Sequence, residues 1–264
     1  MSFELKEWNL PKEIIDSPSP GPGWALLWHG GFAPPELSVY SAGDLQRLCF
    51  LSTLVTYHGK HISFFELGAG YGYWSIALAK VSRWTEMDFT YKILAVEGEP
   101  IHYMWLKKCI EANLVENAIA IHGAVDEQSG FCRFQNAFDP ASQFGQRILE
   151  DSEPGGITIQ AYSLSDLVKE HSGFYENVQL IHMDVQGREA MVVAGGLDVL
   201  ERIDYVLIET HTTKVEVQLK EHLKPTHNLI VELPRFSRIQ PPGFEKPFVG
   251  HGGGVHLWQR KGLA

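Results

Sequence analysis

Cysteine, clustered positive charge and long apolar runs are all scarce in this sequence. The three cysteines, Cys49, Cys109 and Cys132, are odd in number and widely spaced, which argues against a disulfide framework and against a zinc site. The formal net charge is -10, and the Lys and Arg residues are scattered along the chain. Because nucleic-acid binding draws most of its affinity from neutralising phosphates, we expect no nucleic-acid partner.

Apolar runs of membrane-spanning length are also missing from the sequence, so we expect no membrane association. Met1–Trp8 includes Glu4 and Lys6 and lacks the apolar core of a signal peptide. A cytoplasmic protein is the simplest interpretation. With 264 residues, of which 44% are hydrophobic, the chain is long enough for one large α/β domain.

A proline- and glycine-rich stretch divides the chain into two parts. In Ser17–Gly23 every second residue is proline up to Pro22, and each proline restricts its predecessor to extended conformations. The apolar residues Trp24, Trp28 and Phe32 follow, so we expect this arm to pack on the body or cover a pocket. We predict an N-terminal arm or cap over residues 1–41 and a main domain over residues 42–264.

The main domain opens with a helix predicted from Ala42 to His58, for which Gly59 suits a C-cap. Its expected core face consists of Leu45, Leu48, Cys49, Leu51, Ser52 and Val55.

Short apolar strands then alternate with helical patterns. Strands are predicted over residues 63–67, 91–97, 118–123, 157–161, 178–184 and 205–209, and helices over 73–84, 101–113, 165–168, 188–200 and 215–223. Residues 131–134 suggest an edge strand, residues 136–154 a flexible surface loop, and residues 229–233 with 254–258 an antiparallel C-terminal hairpin. This alternation predicts an α/β fold with a mostly parallel, doubly wound sheet.

Three glycines at alternate positions follow the first strong strand, in the segment Glu66-Leu67-Gly68-Ala69-Gly70-Tyr71-Gly72-Tyr73. Glycine allows a sharp turn and a close approach of the backbone to a ligand. Tyr73 stands where the dinucleotide fingerprint needs its last glycine. The spacing, with Glu66 two residues before the first glycine, indicates S-adenosylmethionine (SAM) rather than NAD.

Ligands of open α/β sheets collect at the carboxyl ends of the strands, and further candidates lie there. Glu97 ends the second strand and suits the ribose hydroxyls. Ala124 and Val125 follow the third strand and suit an adenine ring, with Asp126 as an acceptor for the adenine amino group.

Asp184 is the best catalytic candidate, because it ends the most apolar strand and a carboxylate there is costly to bury. Glu209 and His211 leave the neighbouring strand, and His211 is the candidate base. Together with His182, these residues could also bind a divalent cation, for which Mg²⁺ is the candidate. The alternative for His182 is a buried, hydrogen-bonded histidine. Glu189 lies in the first turn of its predicted helix, where a carboxylate interacts favourably with the helix dipole.

Together these residues resemble the FkbM family of SAM-dependent methyltransferases over about residues 63–261. The segments that carry the resemblance are Glu66–Tyr73, Ala95–Glu97, Gly123–Val125 and Met183–Glu189, the last being similar to the family stretch I-D-V-E-G-x-E. Gln186 replaces the usual glutamate of that stretch, and Gly70 stands where many members carry asparagine. The resemblance implies a Rossmann-like class I methyltransferase fold and O-methylation of hydroxyls on macrolides, other natural products or sugars.

We therefore predict a SAM-dependent O-methyltransferase whose acceptor is a hydroxyl of a small or carrier-protein-bound metabolite, such as a polyketide, another natural product or a sugar. A non-catalytic, methyltransferase-like binding module is the alternative, and the glycine spacing disfavours an NAD-dependent dehydrogenase. N-methylation of nucleobases is disfavoured because no Asn/Asp-Pro-Pro-aromatic motif follows Asp184. The acceptor's identity and the oligomeric state stay open.

Overall fold

A computed structural model describes residues 39–57, 59–84, 89–141, 143–171, 177–250 and 252–263. The strands are β1 (Tyr40–Ser41), β2 (His61–Leu67), β3 (Thr90–Glu97), β4 (Ala118–His122), β5 (Ala124–Asp126), β6 (Gly130–Phe134), β7 (Ile157–Ser163), β8 (Val178–Met183), β9 (Ile203–Thr210), β10 (His227–Leu233), β11 (Arg238–Ile239), β12 (Phe248–Val249) and β13 (Gly254–Arg260). The α-helices are α1 (Ala42–Thr56), α2 (Tyr73–Trp84), α3 (Pro100–Ala112), α4 (Leu164–His171), α5 (Glu189–Ala194) and α6 (Thr213–Leu223), and a 3₁₀ turn covers Leu200–Arg202.

Seven strands form the central sheet in the order β10-β13-β9-β8-β2-β3-β4. The pairs from β9 through β8, β2 and β3 to β4 are all parallel. Strand β13 runs antiparallel to both of its neighbours and is inserted between β9 and β10. The predicted mostly parallel sheet is therefore confirmed, and β10 and β13 pair antiparallel at one of its edges.

Helices cover both faces of this sheet, as in a doubly wound fold. Successive residues of a strand point to opposite faces, and Phe64 and Phe65 of β2 accordingly enter two different apolar clusters. The first cluster includes residues of α1, α2 and α3, and the second includes residues of α4, α5 and α6. The near-continuous apolar pattern of the central strands follows from this burial on both faces.

Two small sheets flank the central one. Strand β7 pairs with β5 and β6, so residues 130–134 form the predicted edge strand. Strand β12 pairs with β1 and β11. Residues 136–141 and 143–154 contain no helix, and their one strand bridge joins Ile148 to Phe134. The expectation of a surface loop is wrong for Phe144 and Ile148, which line a cavity.

The expected core face of α1 is wrong at its C-terminal half. Val55 is 60% exposed, and Gln46 and Thr53 are buried instead. Both buried polar groups have partners: Gln46 hydrogen-bonds across the fold, and the Thr53 hydroxyl donates to the Cys49 carbonyl at 2.8 Å. Hydrogen bonding removes most of the free-energy cost of burying a polar group. Residue polarity in the sequence does not show which polar groups find such partners. Gly59 is not the C-cap, because the helix ends at Thr56 with Tyr57 in that position.

Two further helix predictions need correction. The Ser163 hydroxyl, not that of Ser165, accepts from the amide of Asp166 at 3.1 Å and caps α4. The helix predicted over residues 188–200 stops at Ala194. Gly195 packs so tightly that a Cβ there would overlap the backbone of Glu127, which explains the glycine at this helix end.

The predicted arm over residues 1–41 lies almost entirely outside the described residues, so the division at residue 41 stays a prediction. Its last two residues form β1 and pair with β12. Of the helices in the described ranges, none combines the length and the apolar character needed to cross a bilayer.

Candidate active site

The carboxyl ends of β2, β3, β8 and β9 meet at one edge of the sheet and surround a cavity of about 240 Å³. We divide the lining residues into two groups, each named after the ligand that we propose for it. The group here called the adenosine arm comprises Glu97, Gly98, Ala124, Val125, Phe134, Phe144 and Ile148. The group here called the acceptor arm comprises Gly43, Gln46, Arg47, Tyr73, His182, Asp184 and Glu209. Gly68, Ala69 and Gly70 of the glycine turn also line the cavity.

All three glycines of this turn have positive φ, at 80° for Gly68, 56° for Gly70 and 88° for Gly72. A Cβ at Gly68 would overlap the carbonyl oxygen of Asp184, and one at Gly72 would lie 2.6 Å from the Leu106 side chain. Both the backbone conformation and the space therefore require glycine. Ala69 is buried, and its amide donates to the carbonyl of Val96 at 2.9 Å.

Glu66 anchors the helix that follows the turn. Its carboxylate accepts from the amides of Trp74 at 3.0 Å and Ser75 at 2.9 Å, and from the Ser75 hydroxyl. It thus satisfies free amides at the N-terminus of α2. Burial raises the pKa of Glu66 to about 7, although these hydrogen bonds oppose the shift. Glu66 lies at the cavity as predicted, but with both oxygens engaged it shapes the turn.

Glu97 lies at the end of β3 and is almost fully buried. It accepts from the amide of Gly70 at 2.7 Å and from that of Glu99 at 2.7 Å, so it joins the glycine turn to the adenosine arm. Burial raises the pKa of Glu97 to about 7.

The residues of the adenosine arm are mostly apolar. Ala124 and Val125 are buried in β5, and Phe134 packs against Gly98 closely enough that a Cβ there would lie 2.6 Å from its ring. Phe144 stacks on His102 with ring centroids 4.1 Å apart and 5° between the planes. Asp126 does not line this slot, because its carboxylate accepts from Arg188 at 2.8 Å. The expected contact of Asp126 with adenine is therefore not supported.

A chain of side-chain contacts leads away from the cavity, from Asp184 through His211 to Glu189. His211 Nδ1 lies 2.8 Å from Glu189 Oε1, and His211 Nε2 lies 3.4 Å from Asp184 Oδ1. Glu189 is fully buried and also accepts from the amide of Gly187 at 2.9 Å. Within the described part of the chain, the cavity lining includes Asp184 but leaves out His211, so His211 reaches the cavity through Asp184.

These charged groups shift one another's pKa values. Burial, followed by the negative charge of Glu209, holds the pKa of Asp184 well above its ordinary value, against the pull of His211. Burial alone would lower the pKa of His211, but the hydrogen bond to Glu189 and the charges of Asp184, Glu189 and Glu209 outweigh it and raise this pKa to about 9. Gln186 replaces the family's glutamate with an amide that donates to Asp184 Oδ1 at 2.7 Å, where a second carboxylate would repel it.

The raised pKa of His211 predicts a pH-dependent stability. A histidine whose folded pKa exceeds its ordinary value stabilises the fold fully below about pH 6.5, and this contribution is lost as the pH rises through about 9. We expect His211→Gln to cost about 2 kcal/mol of unfolding free energy at about pH 6 and little at about pH 9.5. Urea unfolding at both values, with His222→Gln in α6 as the control, measures this. An equal cost at both values would contradict the assignment.

Glu209 belongs to a second hydrogen-bonded chain that reaches α1. Its Oε2 accepts from Gln46 Nε2 at 2.7 Å, and Gln46 Oε1 lies 3.1 Å from His182 Nε2. His182 is buried against Trp74, with ring centroids 4.6 Å apart, and burial lowers its pKa to about 3. The buried, hydrogen-bonded alternative for His182 is thus the one that the structure supports.

Three site residues escaped prediction. Gln46 gave a weak signal as a polar residue on an apolar face, and Glu189 was considered only for the helix dipole. Phe144 lies in an irregular segment without any pattern that would mark it. Tyr73, which was predicted, lines the acceptor arm, and its hydroxyl accepts from Arg47 Nε at 3.1 Å.

Asp184, Glu189 and His211 also satisfy the spacing of a metal site. One ligand atom from each lies within 4.8 Å of the others. The 2.8 Å hydrogen bond between His211 and Glu189 already engages two of these groups. A cation therefore competes with an existing contact.

The parallel sheet with one inserted antiparallel strand, and the cavity beside its glycine turn, define a Rossmann-like methyltransferase fold. The chain belongs to the FkbM methyltransferase family, because the family profile described as "Methyltransferase FkbM domain" matches residues 66–237, more than half of its 264 residues. The predicted resemblance is thus confirmed. No curated protein matches the chain by sequence.

Several solved structures are similar at low identity. Methyltransferase FkbM from Methylobacillus flagellatus is 12% identical over 78% of this chain and 45% of its own, with a TM-score of 0.48. Precorrin-6y C5,15-methyltransferase from Geobacter metallireducens is 12% identical over 88% of this chain and 93% of its own, with a TM-score of 0.44. The N-terminal domain of human METTL16 in complex with SAH is 12% identical over 83% and 69%, with a TM-score of 0.45. This chain thus spans less than half of the Methylobacillus protein.

Proposed function

We propose that this chain is a SAM-dependent O-methyltransferase that acts on a hydroxyl of a small or carrier-protein-bound metabolite. The observation that carries the proposal is the contact between the glycine turn and Asp184: a Cβ on Gly68 would overlap the Asp184 carbonyl oxygen. The cofactor cradle and the candidate base are therefore adjacent, as a transfer between two bound molecules requires.

The cavity suits SAM on three counts. Gly70 lines the cavity and has room for close backbone approach, Glu97 offers carboxylate oxygens for ribose hydroxyls, and the adenosine arm offers the apolar residues Ala124 and Val125. Gly68, Ala69, Gly70 and Tyr73 line the cavity and would hold the remainder of the molecule. Gly72, which is absent from the lining, and Glu66 would keep the turn in shape. When bound, SAM supplies a methyl group activated by the positive charge on its sulfur.

Asp184 has the position and the basicity to remove the acceptor's proton. It lines the cavity, and a carboxyl with a raised pKa binds a proton more strongly than an ordinary one. Asp184 would accept the hydroxyl proton of the acceptor, and the bound cofactor would supply the methyl group and leave in its demethylated form once its sulfur–methyl bond is broken. His211, oriented by Glu189, acts on Asp184 rather than on the acceptor, so it is a positioning residue.

SAM binding is directly testable through Glu97. We expect Glu97→Gln to weaken SAM binding about tenfold or more, because an amide cannot accept from the ribose and from two backbone amides at once. Isothermal titration calorimetry with SAM and with NAD measures this, and the exposed Glu111→Gln in α3 is the control. Absence of SAM binding by the unmutated protein, or tighter binding of NAD, would overturn the cofactor assignment.

The contact between His211 and Glu189 favours catalysis by hydrogen-bonded side chains without a divalent cation. We expect methyl transfer to persist after treatment with EDTA and dialysis. Loss of activity that Mg²⁺ restores would instead assign Asp184, Glu189 and His211 to a cation site. A non-catalytic binding module would bind SAM but produce no demethylated cofactor with any acceptor.

A further inference from the structure

Gln146 and Arg188 each bring an unpartnered polar atom to the lining of the cavity. Gln146 Oε1, an acceptor, and Arg188 Nε, a donor, are both buried and have no hydrogen-bond partner among the residues that the structure describes. A buried polar atom without a partner is costly, so most such atoms in native proteins are paired. An open acceptor and an open donor in the lining of one cavity therefore point to a ligand that supplies one partner for each.

Gln146 lies beside the adenosine arm, in the segment between β6 and β7. Ile148, two residues further on, forms a strand bridge with Phe134 of β6. Side chains two residues apart in an extended chain point to the same side, and Gln146 and Ile148 both line the cavity. Gln146 therefore adds a polar group next to two apolar residues of the adenosine arm.

Arg188 reaches the same part of the cavity from the turn after β8. Its Nη2 donates to Asp126 Oδ2 at 2.8 Å, and its Nη1 donates to Glu150 Oε1 at 3.4 Å. Asp126 directly follows Val125 of the adenosine arm, and Glu150 lies four residues after Gln146. The outer nitrogens of the guanidinium are thus engaged, and Nε is the donor that is left for a ligand.

Adenine carries the matching pair of groups on one edge. Its 6-amino group is a hydrogen-bond donor, and the ring nitrogen N7 beside it is an acceptor. Guanine carries an oxygen at position 6, which would place an acceptor against Gln146 Oε1. Asp126, which was expected to accept from the amino group, is engaged by Arg188 instead. The two unpartnered atoms therefore suit adenine.

We propose, resting on the function proposed above, that Gln146 and Arg188 recognise the adenine of the cofactor. Gln146 Oε1 accepts from the 6-amino group, and Arg188 Nε donates to a ring nitrogen beside that group. Gln146 lies outside the segments that carry the family resemblance, and Arg188 stands at the position x of the stretch I-D-V-E-G-x-E. Adenine specificity in this chain thus depends on two side chains that the family signature does not specify.

The first test measures binding to the full chain by isothermal titration calorimetry. The two ligands are the demethylated cofactor S-adenosylhomocysteine (SAH) and its analogue with hydrogen in place of the 6-amino group. We expect the unmutated protein to bind the analogue about fivefold to tenfold more weakly. Gln146→Met, which lacks a strong acceptor, should bind both ligands equally, whereas Gln146→Glu should keep the preference because it retains an acceptor.

The exposed Gln128→Met is the control and should keep the preference for SAH. Thermal unfolding establishes that each variant is folded. A preference that persists in folded Gln146→Met would overturn the role of Gln146, as would equal binding of the two ligands by the unmutated protein, which decides the matter if the variant does not fold. Absence of binding of either ligand by the unmutated protein would overturn the proposed function instead.

The second test addresses Arg188 with analogues of SAH in which carbon replaces N1 or N7. We expect the unmutated protein to bind one of the two about fivefold more weakly than SAH. Arg188→Lys keeps a positive charge near Asp126 but has a methylene in place of Nε, so it should lose this difference. The exposed Arg238→Lys is the control and should keep it. A difference that persists in Arg188→Lys, or equal binding of all three ligands by the unmutated protein, would overturn the role of Arg188.

Discussion

Asp184→Asn is expected to lower turnover by about a hundredfold or more while leaving SAM binding within about threefold of the unmutated protein. Asparagine keeps the size of the side chain but cannot take a proton at neutral pH. The proposed cofactor contacts would be untouched, because they come from the glycine turn, Glu97 and the adenosine arm. Single-turnover methyl transfer and calorimetric SAM titration, run on the same preparation, separate the two effects.

The matched control is Asp151→Asn, which makes the same chemical change at an exposed position of the segment between β6 and β7. It should retain full turnover. Full activity in Asp184→Asn would remove Asp184 from the mechanism, whereas loss of SAM binding in that variant would show that Asp184 belongs to the cofactor site.

Gly68→Ala is expected to give the second large effect, a loss of stability together with a loss of SAM affinity. Gly68 has a φ of 80°, and the added methyl would overlap the Asp184 carbonyl oxygen. Strain and overlap together should cost about 3 kcal/mol or more. For a chain of this length that corresponds to a melting temperature lower by about 6–12 °C. Thermal unfolding followed by circular dichroism, with and without SAM, measures both effects.

Substitutions at two other glycines distinguish the effect of backbone strain from that of steric overlap. Gly155→Ala has positive φ, at 78°, but meets nothing within 4 Å, so it should show the cost of strain alone. Gly252→Ala has neither feature and should be nearly neutral. If Gly68→Ala behaves like Gly252→Ala, the turn does not press against Asp184 as described.

The glycine turn and the strand ends were predictable because their physics is local. Positive φ at Gly68, Gly70 and Gly72 is a property of a few consecutive residues, and glycine marks it in the sequence. Apolar runs that end in Glu97 and Asp184 similarly mark buried parallel strands with polar residues at their carboxyl ends. The family resemblance rests on the same local segments.

The side-chain partners were not predictable in this way. Asp126 follows the third predicted strand, where an adenine contact is expected, yet it does not line the cavity, and its carboxylate accepts from Arg188, 62 residues away. Gln46 can be buried because Glu209, 163 residues away, accepts a hydrogen bond from its amide group. Phe144 faces the cavity because His102 offers a ring to stack on. Each of these contacts depends on how distant segments meet.

By itself, the sequence determined the sheet, the place of the glycine turn and the family, because periodicity and glycine placement act within a few residues. Only the tertiary structure decided which polar groups serve one another: Glu66 with α2, Glu189 with His211, and Gln46 with Glu209. The physical reason is that a buried polar group needs a partner, and in a folded chain that partner is chosen by proximity in space.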